Sequence, residues 1–190
     1  MPERLLAQSG LKPLLAIVDS IKIGSLEREA ARAVVTELDP SLQYDDQAVE
    51  KLLEVTRYHP CYLKYLCREL YITRTRPRIT LTDVEKVIEQ TMEWRPKLEG
   101  LINHFWAMDL QDSDLATKHR HVLSAIASGV GSSGWATFDR IADQTYPKVT
   151  DKELPGLLAN LTDYGSIDAD RLNYRVQIPF LELWLQRCAH

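Results

Sequence analysis

The stretch VTRYHPCYLKYLCREL, residues 55–70, places a histidine and a proline where one helix is predicted to end and the next to begin. Proline suits the first helical position, because its missing N–H would have no partner there. The next free amides, from Cys61 to Leu63, are then expected to point out of the start of the helix. Such an end attracts anions, phosphate among them. The His59-Pro60 corner is therefore predicted to be either helix punctuation or one wall of a phosphate site.

The other residues whose side chains could bind a metal or take part in catalysis form no recognisable site. His119 and His121 are two positions apart, so on a helix they point to different sides and do not make an i, i+4 metal pair. Cys61, Cys67 and Cys188 are odd in number and lack paired metal spacing, so reduced and mostly buried thiols are predicted. No serine, cysteine or lysine has a visible base partner. We expect no catalytic and no metal site, and no enzymatic activity of this chain by itself.

Composition places the chain among ordinary globular proteins. Its 190 residues are 45% hydrophobic and 26% charged, with a net charge of −4, and they suffice for one large or two small domains. Charged residues interrupt every apolar stretch, so no membrane span is expected. The first residues, MPERLLAQSG, lack a secretory apolar region, and a cytoplasmic location is expected.

Apolar periodicity predicts that most of the first half is helical. Ser25 is predicted to cap the first clear helix, Asp45 to open the second, and Thr82 with Glu85 to form a capping box for the fourth. A further helix is predicted to end near Trp106. The predicted buried faces, in chain order, are Leu26, Ala30, Val34 and Leu38; Ala48, Val49, Leu52 and Leu53; Leu63, Leu66, Cys67 and Leu70; Val84, Val87, Ile88 and Met92; and Leu98, Leu101, Ile102 and Phe105.

The pattern changes after about Met108, where the acidic stretch DLQDSD predicts a boundary. Three helices are predicted to follow, the third opened by a Thr150–Glu153 capping box and ended by Gly165. A turn at residues 169–172, the strand-like NYRVQI and a short helix PFLELWLQR come next. The predicted buried faces of the three helices are Val122, Leu123 and Ile126; Trp135, Phe138, Ile141 and Ala142; and Leu154, Leu157, Leu158 and Leu161. Three helices and a β-hairpin predict a winged helix, and the whole chain a mainly α fold.

The order of these segments resembles the helical lid and winged-helix part of STAND and related AAA+-type ATPases. The segments that carry the resemblance are IGSLEREAARAV, RYHPCYLKYLCREL, ITLTDVEKVIEQTM, the Phe105-Trp106 pair and the winged helix. It spans roughly Ile23 to Arg187 and rests on the ordered set rather than on any one motif. It implies a connector or remnant of the ATPase core over residues 1–24, a lid domain over 25–110 and a winged-helix domain over 111–190.

In those ATPases the His-Pro corner lies near a nucleotide that a neighbouring P-loop domain holds. The resemblance therefore implies a sensor role for His59 and Pro60, although Tyr58 stands where such lids usually carry glycine. The sequence contains no G-x-x-x-x-G-K-[ST] loop and no apolar strand that ends in paired acids, so the main phosphate and Mg²⁺ ligands are missing. ATP or ADP is expected to bind only together with a P-loop domain, in the same or another chain.

Three functional hypotheses follow. In the first, the chain is a regulatory module of a signalling ATPase, which senses nucleotide state and passes it to a protein effector or sensor domain. In the second, it is a DNA-binding regulator of the kind related to origin-recognition ATPases. In the third, it is a structural adaptor whose ATPase half has been lost, and His59 then has no functional effect.

For DNA binding, the candidate residues are Lys152, Arg171 and Arg175, next to or within the predicted third helix and hairpin. A DNA reader normally carries excess positive charge there. From residue 148 onward the charged residues are Lys148, Lys152, Arg171, Arg175 and Arg187 against Asp151, Glu153, Asp163, Asp168, Asp170 and Glu182. We expect Arg171 and Arg175 to pair with Asp168 and Asp170, so the charge pattern disfavours duplex binding and favours a protein contact.

The most basic run of the chain is RTRPR, residues 74–78. We interpret it as a solvated loop. The alternative is a contact to a phosphate or to an acidic partner surface.

Overall fold

The structure is a computed structural model that describes residues 24–37, 39–93 and 113–188. Within these ranges eight helices and five short strands follow one another, and the predicted mainly α fold is confirmed at that level. The elements are α1 Arg28–Glu37, β1 Gln43–Tyr44, α2 Asp46–Thr56, α3 Pro60–Thr73, β2 Arg78–Ile79, α4 Leu81–Glu93, α5 Ser113–Gly129, β3 Ala136–Thr137, α6 Phe138–Thr145, α7 Leu154–Asp163, β4 Ile167–Asp170, β5 Asn173–Val176 and α8 Pro179–Cys188. The predicted segment before residue 24, the helix near 98–106 and Phe105-Trp106 lie outside the described residues.

Helices α2 and α3 form as the sequence predicts. Asp45 precedes α2, and Pro60 occupies the first turn of α3. Proline there costs no hydrogen bond. The predicted faces of both helices are buried, and Leu52, Leu63 and Leu66 have no exposed surface at all.

Helix α1 differs from the prediction in its start and in its face. The Leu26 amide donates to the carbonyl of Tyr58 at 3.0 Å, residues 24–27 lie outside the helix, and the helix begins at Arg28 and not directly after Ser25. Its buried residues are Ala31 and Val35, whereas Ala30, predicted to be buried, is exposed. Leu26 and Val34, two other members of the predicted face, are partly buried and pack against the core, so the prediction was right for these two and wrong for Ala30. Leu38 lies outside the described residues.

The predicted capping box of α4 was wrong by two residues. Thr80 caps the helix: Asp83 Oδ2 accepts from the Thr80 amide at 2.8 Å and from its hydroxyl at 2.7 Å. Strand β2 ends one residue earlier, at the buried Ile79. Of the two overlapping Thr-x-x-acid patterns, the one next to the strand end is therefore used.

Replacing Thr80 by alanine is expected to lower the free energy of unfolding by about 1 kcal/mol, because it removes the hydroxyl that donates to the Asp83 carboxylate at the start of the helix. The Thr82→Ala variant is the matched control, with an expected change within about 0.5 kcal/mol since Thr82 is exposed. Urea denaturation followed by circular dichroism measures both. Equal losses in the two variants would contradict the assignment of the cap.

The basic run lies between α3 and α4 and is paired with acids. Strand β2 is parallel to β1, with Gln43 opposite Arg78 and Tyr44 opposite Ile79. The guanidinium groups of the run lie 2.8–3.5 Å from carboxylates, in the pairs Arg74–Asp39, Arg76–Asp83 and Arg78–Asp45. Such pairs near the surface contribute little to stability one by one, but they offset the positive charge of the run.

The C-terminal elements surround a three-stranded antiparallel sheet with the order β3-β5-β4. Strands β4 and β5 form a hairpin in which Ile167 lies opposite Val176. The predicted Thr150–Glu153 capping box is confirmed, with Glu153 Oε2 accepting from the Thr150 amide at 3.0 Å and its hydroxyl at 2.7 Å. The predicted leucine face of α7 is buried, and α7 ends before Gly165, whose φ is +69°.

Helix α8 joins the two parts of the described chain. It packs on α5 and also on α2 and α4. The fully buried Phe180 has its ring centroid 5.8 Å from that of Tyr62 on α3, in a T-shaped arrangement. The buried apolar residues accordingly form one connected cluster. In the part of the chain that the structure describes, no helix has the length and apolar character needed to cross a membrane.

Candidate functional site

A cleft of about 820 Å³ lies between the loop that joins α2 to α3 and the C-terminal sheet. Arg57 and His59 line it from the first side, and Trp135, Asp168 and Arg175 from the second. Of the two residues predicted as sensors, His59 therefore lies in the cleft wall. Pro60 is not among the described residues that line it; it starts α3 directly behind His59.

The backbone of the loop adopts an uncommon conformation. Arg57 and Tyr58 have φ values of 47° and 63°, so two consecutive residues with side chains are left-handed. This conformation costs about 1–2 kcal/mol per non-glycine residue. Glycine would adopt it without this cost. Two backbone hydrogen bonds of 3.0 Å hold the loop. One is the tertiary bond from the Leu26 amide to the Tyr58 carbonyl, and the other is a local bond from the His59 amide to the Thr56 carbonyl.

The start of α3 offers fewer amides than the sequence predicts. The Leu63 amide donates to the carbonyl of His59 at 3.0 Å, so the prediction that it points freely outward was wrong. An ordinary helix makes its first internal bond at this position, and the Pro60 break does not change that. Cys61 carries the first amide after the proline.

The His59 ring packs edge-on against Tyr62, with centroids 5.1 Å apart. Burial lowers the pKa of the imidazole below its ordinary value, so His59 is neutral at pH 7. A neutral imidazole has one N–H donor and one acceptor. In this neutral form His59 offers one N–H donor on the side of the cleft.

Arg57 carries a contact that the sequence analysis missed. Its Nη1 atom lies 2.9 Å from Asp168 Oδ2 on β4 and donates, also at 2.9 Å, to the carbonyl of Gln177 after β5. The pair is separated by 111 positions, and no local pattern signals it. The contact connects the α2–α3 loop with the hairpin across the cleft.

Asp168 is shared by two arginines. Arg175 places its Nε and Nη2 atoms each 2.9 Å from the same Oδ2 atom, which confirms the predicted Arg175–Asp168 pair. Burial tends to raise the pKa of Asp168, but hydrogen bonds from Arg57 and Arg175 outweigh it and lower that pKa overall. The Arg175 guanidinium also lies over the Trp135 ring, 4.5 Å from its centroid. Asp168 is therefore ionised and held in place at neutral pH.

The three residues predicted for nucleic-acid binding lie in different settings. Lys152 is in the exposed turn before α7, and Arg171, with a φ of 55°, is in the exposed hairpin turn. Arg175 points into the cleft and is engaged by Asp168. Helix α7 itself, LPGLLANLTD, contains no lysine or arginine. The basic residues therefore do not form a stripe along the helix that would enter a groove.

The described ranges contain no group of three or more histidine, cysteine, aspartate or glutamate residues arranged to hold a metal ion. Cys67 is buried, and burial raises the pKa of its thiol to about 11. Cys61 is partly exposed. The Cys67 thiol, with so high a pKa, is a poor nucleophile at neutral pH.

Comparison with known proteins identifies a related fold. No family model matches the chain, and no curated protein matches it. A solved structure of the Walker-type ATPase of Pyrococcus abyssi is similar, with a TM-score of 0.59 and 18% sequence identity. The similarity covers 85% of this chain and 42% of that chain. The chain thus has the fold of part of a Walker-type ATPase and spans less than half the length of that protein.

Proposed function

We propose that the chain is the lid and winged-helix module of a STAND-like AAA+ ATPase, which senses the nucleotide state and transmits it to a protein partner. The observation that carries the proposal is the cleft, in which the His59 corner faces the C-terminal sheet. The fold shared with part of a Walker-type ATPase supports it. In this proposal residues 1–24 are the connector or core remnant, 25–110 the lid and 111–190 the winged helix.

The order of the C-terminal elements supports the winged-helix assignment. A helix, a short strand, two helices and a hairpin follow each other from α5 to β5. The first strand pairs with the second strand of the hairpin, which gives the order β3-β5-β4. In a winged helix, α7 is the third helix and the β4–β5 hairpin is the wing.

The nucleotide is proposed to be held mainly by a P-loop domain of the same or another chain. One helix start and one neutral histidine are a small part of what triphosphate binding needs, since the P-loop amides, its lysine and Mg²⁺ provide most of the phosphate contacts. Gly24 and Ser25, at the end of the proposed connector, line the cleft, so the connector would lead from a P-loop domain to this site. We place the complete protein in the cytoplasm.

Sensing requires that ATP and ADP interact differently with the open and closed arrangements of the module, because a ligand shifts an equilibrium only through such a difference. His59 supplies a difference if its N–H donor reaches a phosphate that only one nucleotide has. The hydrophobic core that α8 shares with both parts of the chain, and the contact of Arg57 with Asp168, would then transmit the change to the hairpin.

The test compares nucleotide affinity of this chain alone with that of the chain joined to its P-loop domain, by titration with a fluorescent ATP analogue. We expect the chain alone to bind at least about 100-fold more weakly, a difference of about 2.8 kcal/mol. In the joined protein, His59→Ala is expected to reduce the preference between ATP and ADP, while the control His121→Ala leaves it unchanged. Tight ATP binding by the chain alone would overturn the proposal, and an unaffected His59→Ala protein would favour the adaptor hypothesis.

DNA binding has weaker support than a protein contact. Helix α7 has no basic residue, and Glu153 at its start lies 2.9 Å from Lys118. A recognition helix of this composition offers no lysine or arginine to contact a phosphate. The exposed face of α7 suits a partner protein better than a nucleic-acid groove.

A further inference from the structure

We infer that Arg57 is a positioning residue, which fixes the His59 corner against the β4–β5 hairpin and makes the two move together. The inference deepens the proposed function, on which its biological meaning rests, by naming the connection between sensor and wing. It concerns a residue of the cleft wall whose guanidinium is already engaged by Asp168 and by the carbonyl of Gln177.

The first support is the placement of Arg57. Its backbone belongs to the loop two residues before His59, whereas its side chain reaches two separate points of the hairpin region, the carboxylate of Asp168 and the carbonyl of Gln177. Both contacts are 2.9 Å long. Asp168 lies on β4 and Gln177 directly follows β5. The Arg57 guanidinium is therefore held at two points of the hairpin region, which restricts the direction of the loop as well as its distance.

The second support is that the receiving carboxylate is held independently of Arg57. Arg175, on the other strand of the same hairpin, contacts the same Asp168 oxygen, and the Trp135 ring lies against Arg175. Burial raises the pKa of the nearby Glu182, and the positive charge of Arg175 opposes this effect. Arg175 therefore orients the Asp168 carboxylate towards Arg57, and the loss of Arg57 would remove one of the two guanidinium groups that bind this carboxylate.

The third support is the strained conformation of the loop. Arg57 and Tyr58 are both left-handed without being glycine, and such a conformation persists only where the surroundings impose it. The Arg57 side chain is partly buried, with 38% of its surface exposed, and that of Asp168 is 28% exposed. The contact is thus shielded more than an ordinary surface ion pair. Release of Arg57 is expected to let the loop relax and His59 shift.

The experiment is hydrogen exchange followed by mass spectrometry on the chain without nucleotide. Arg57→Ala is expected to speed exchange about tenfold both in residues 57–63 and in residues 166–177, which corresponds to the loss of about 1.4 kcal/mol of local stability. Asp168→Asn, which also weakens the contact with Arg175, is expected to have at least as large an effect, and the double variant no more than Asp168→Asn alone. Arg57→Lys, which keeps the charge but replaces the planar guanidinium by a shorter side chain with an ammonium group, should give a partial effect.

Two control variants separate the coupling from general loss of stability. Arg32→Ala removes an arginine on α1 that pairs with Asp46 and Glu50 on α2, and it should leave exchange in residues 166–177 unchanged. Arg175→Gln keeps the contact between Arg57 and Asp168, so it should affect residues 57–63 less than Arg57→Ala does. If Arg57→Ala does not fold, Arg57→Lys alone carries the comparison. Unchanged exchange in residues 166–177, or additive effects of the Arg57 and Asp168 changes, would overturn the inference.

The joined protein with its P-loop domain then gives a readout that a purely structural role would not move. We expect ATP and ADP to protect residues 166–177 differently in the native protein, and Arg57→Lys to reduce this difference while nucleotide affinity is retained. Coupled exchange in the free chain without any nucleotide effect in the joined protein would support the role of Arg57 and refute the proposed function. Loss of nucleotide affinity in Arg57→Lys would overturn the inference, because Arg57 would then bind the nucleotide.

Discussion

Replacement of Phe180 by alanine is expected to lower the free energy of unfolding by about 3–5 kcal/mol. The side chain has no exposed surface, and its ring meets Tyr62 edge-on at 5.8 Å and Tyr65 at 6.4 Å between centroids. Truncation removes these contacts and leaves a cavity between α8 and α3, which close packing prevents from collapsing fully. Urea denaturation monitored by circular dichroism measures the change.

Leu172→Ala provides the control, since this leucine is 65% exposed in the hairpin turn. The expected change is within about 0.5 kcal/mol. Phe180→Leu, which retains most of the apolar volume, is expected to lie between the two. A Phe180→Ala protein no less stable than the Leu172→Ala protein would show that α8 does not join the two parts of the chain in the way described.

The elements that local sequence determines were predicted well. The faces of α2 and α3 follow from apolar spacing alone, and the Thr150–Glu153 box and Gly165 correctly define the ends of α7. Helix α1 was predicted less well, and the bond just before its start joins Leu26 and Tyr58, which are distant in sequence. Local patterns can also conflict, and at α4 only the end of the buried strand β2 decides between Thr80 and Thr82.

The candidate site was only half predictable for the same reason. His59 was identified because the corner is a local feature, and the structure places it in the cleft wall. Arg57 was not, because its partner Asp168 is 111 positions away and arginine is common on protein surfaces. The positions of the charged residues in the hairpin did predict one contact correctly, the pair between Arg175 and Asp168. What the sequence could not show is that a second arginine, from the other part of the chain, uses the same carboxylate.

Two glycines, one in α7 and one between α7 and the β4–β5 hairpin, are expected to change stability in opposite directions when replaced by alanine. Gly165 has a φ of +69° and caps α7, its amide donating to Thr162 and the next amide, of Ser166, to Leu161, each at 2.9 Å. Gly165→Ala is expected to lower the free energy of unfolding by about 1–2 kcal/mol, the cost of a left-handed residue with a Cβ atom. An added Cβ would meet Gln177 Oε1 at an ordinary 3.5 Å, so the backbone and not a clash causes the loss.

Gly156 is the matched control within the same helix. It is exposed, and a Cβ atom there would meet nothing within 4 Å. Gly156→Ala is expected to raise the free energy of unfolding by up to about 1 kcal/mol, because alanine favours the helical conformation and restricts the unfolded chain. Thermal and urea denaturation of both variants measure the difference. If both substitutions stabilised the protein, Gly165 would not be left-handed, and the hairpin that carries Asp168 would leave α7 in another direction, so that Arg57 could not reach it.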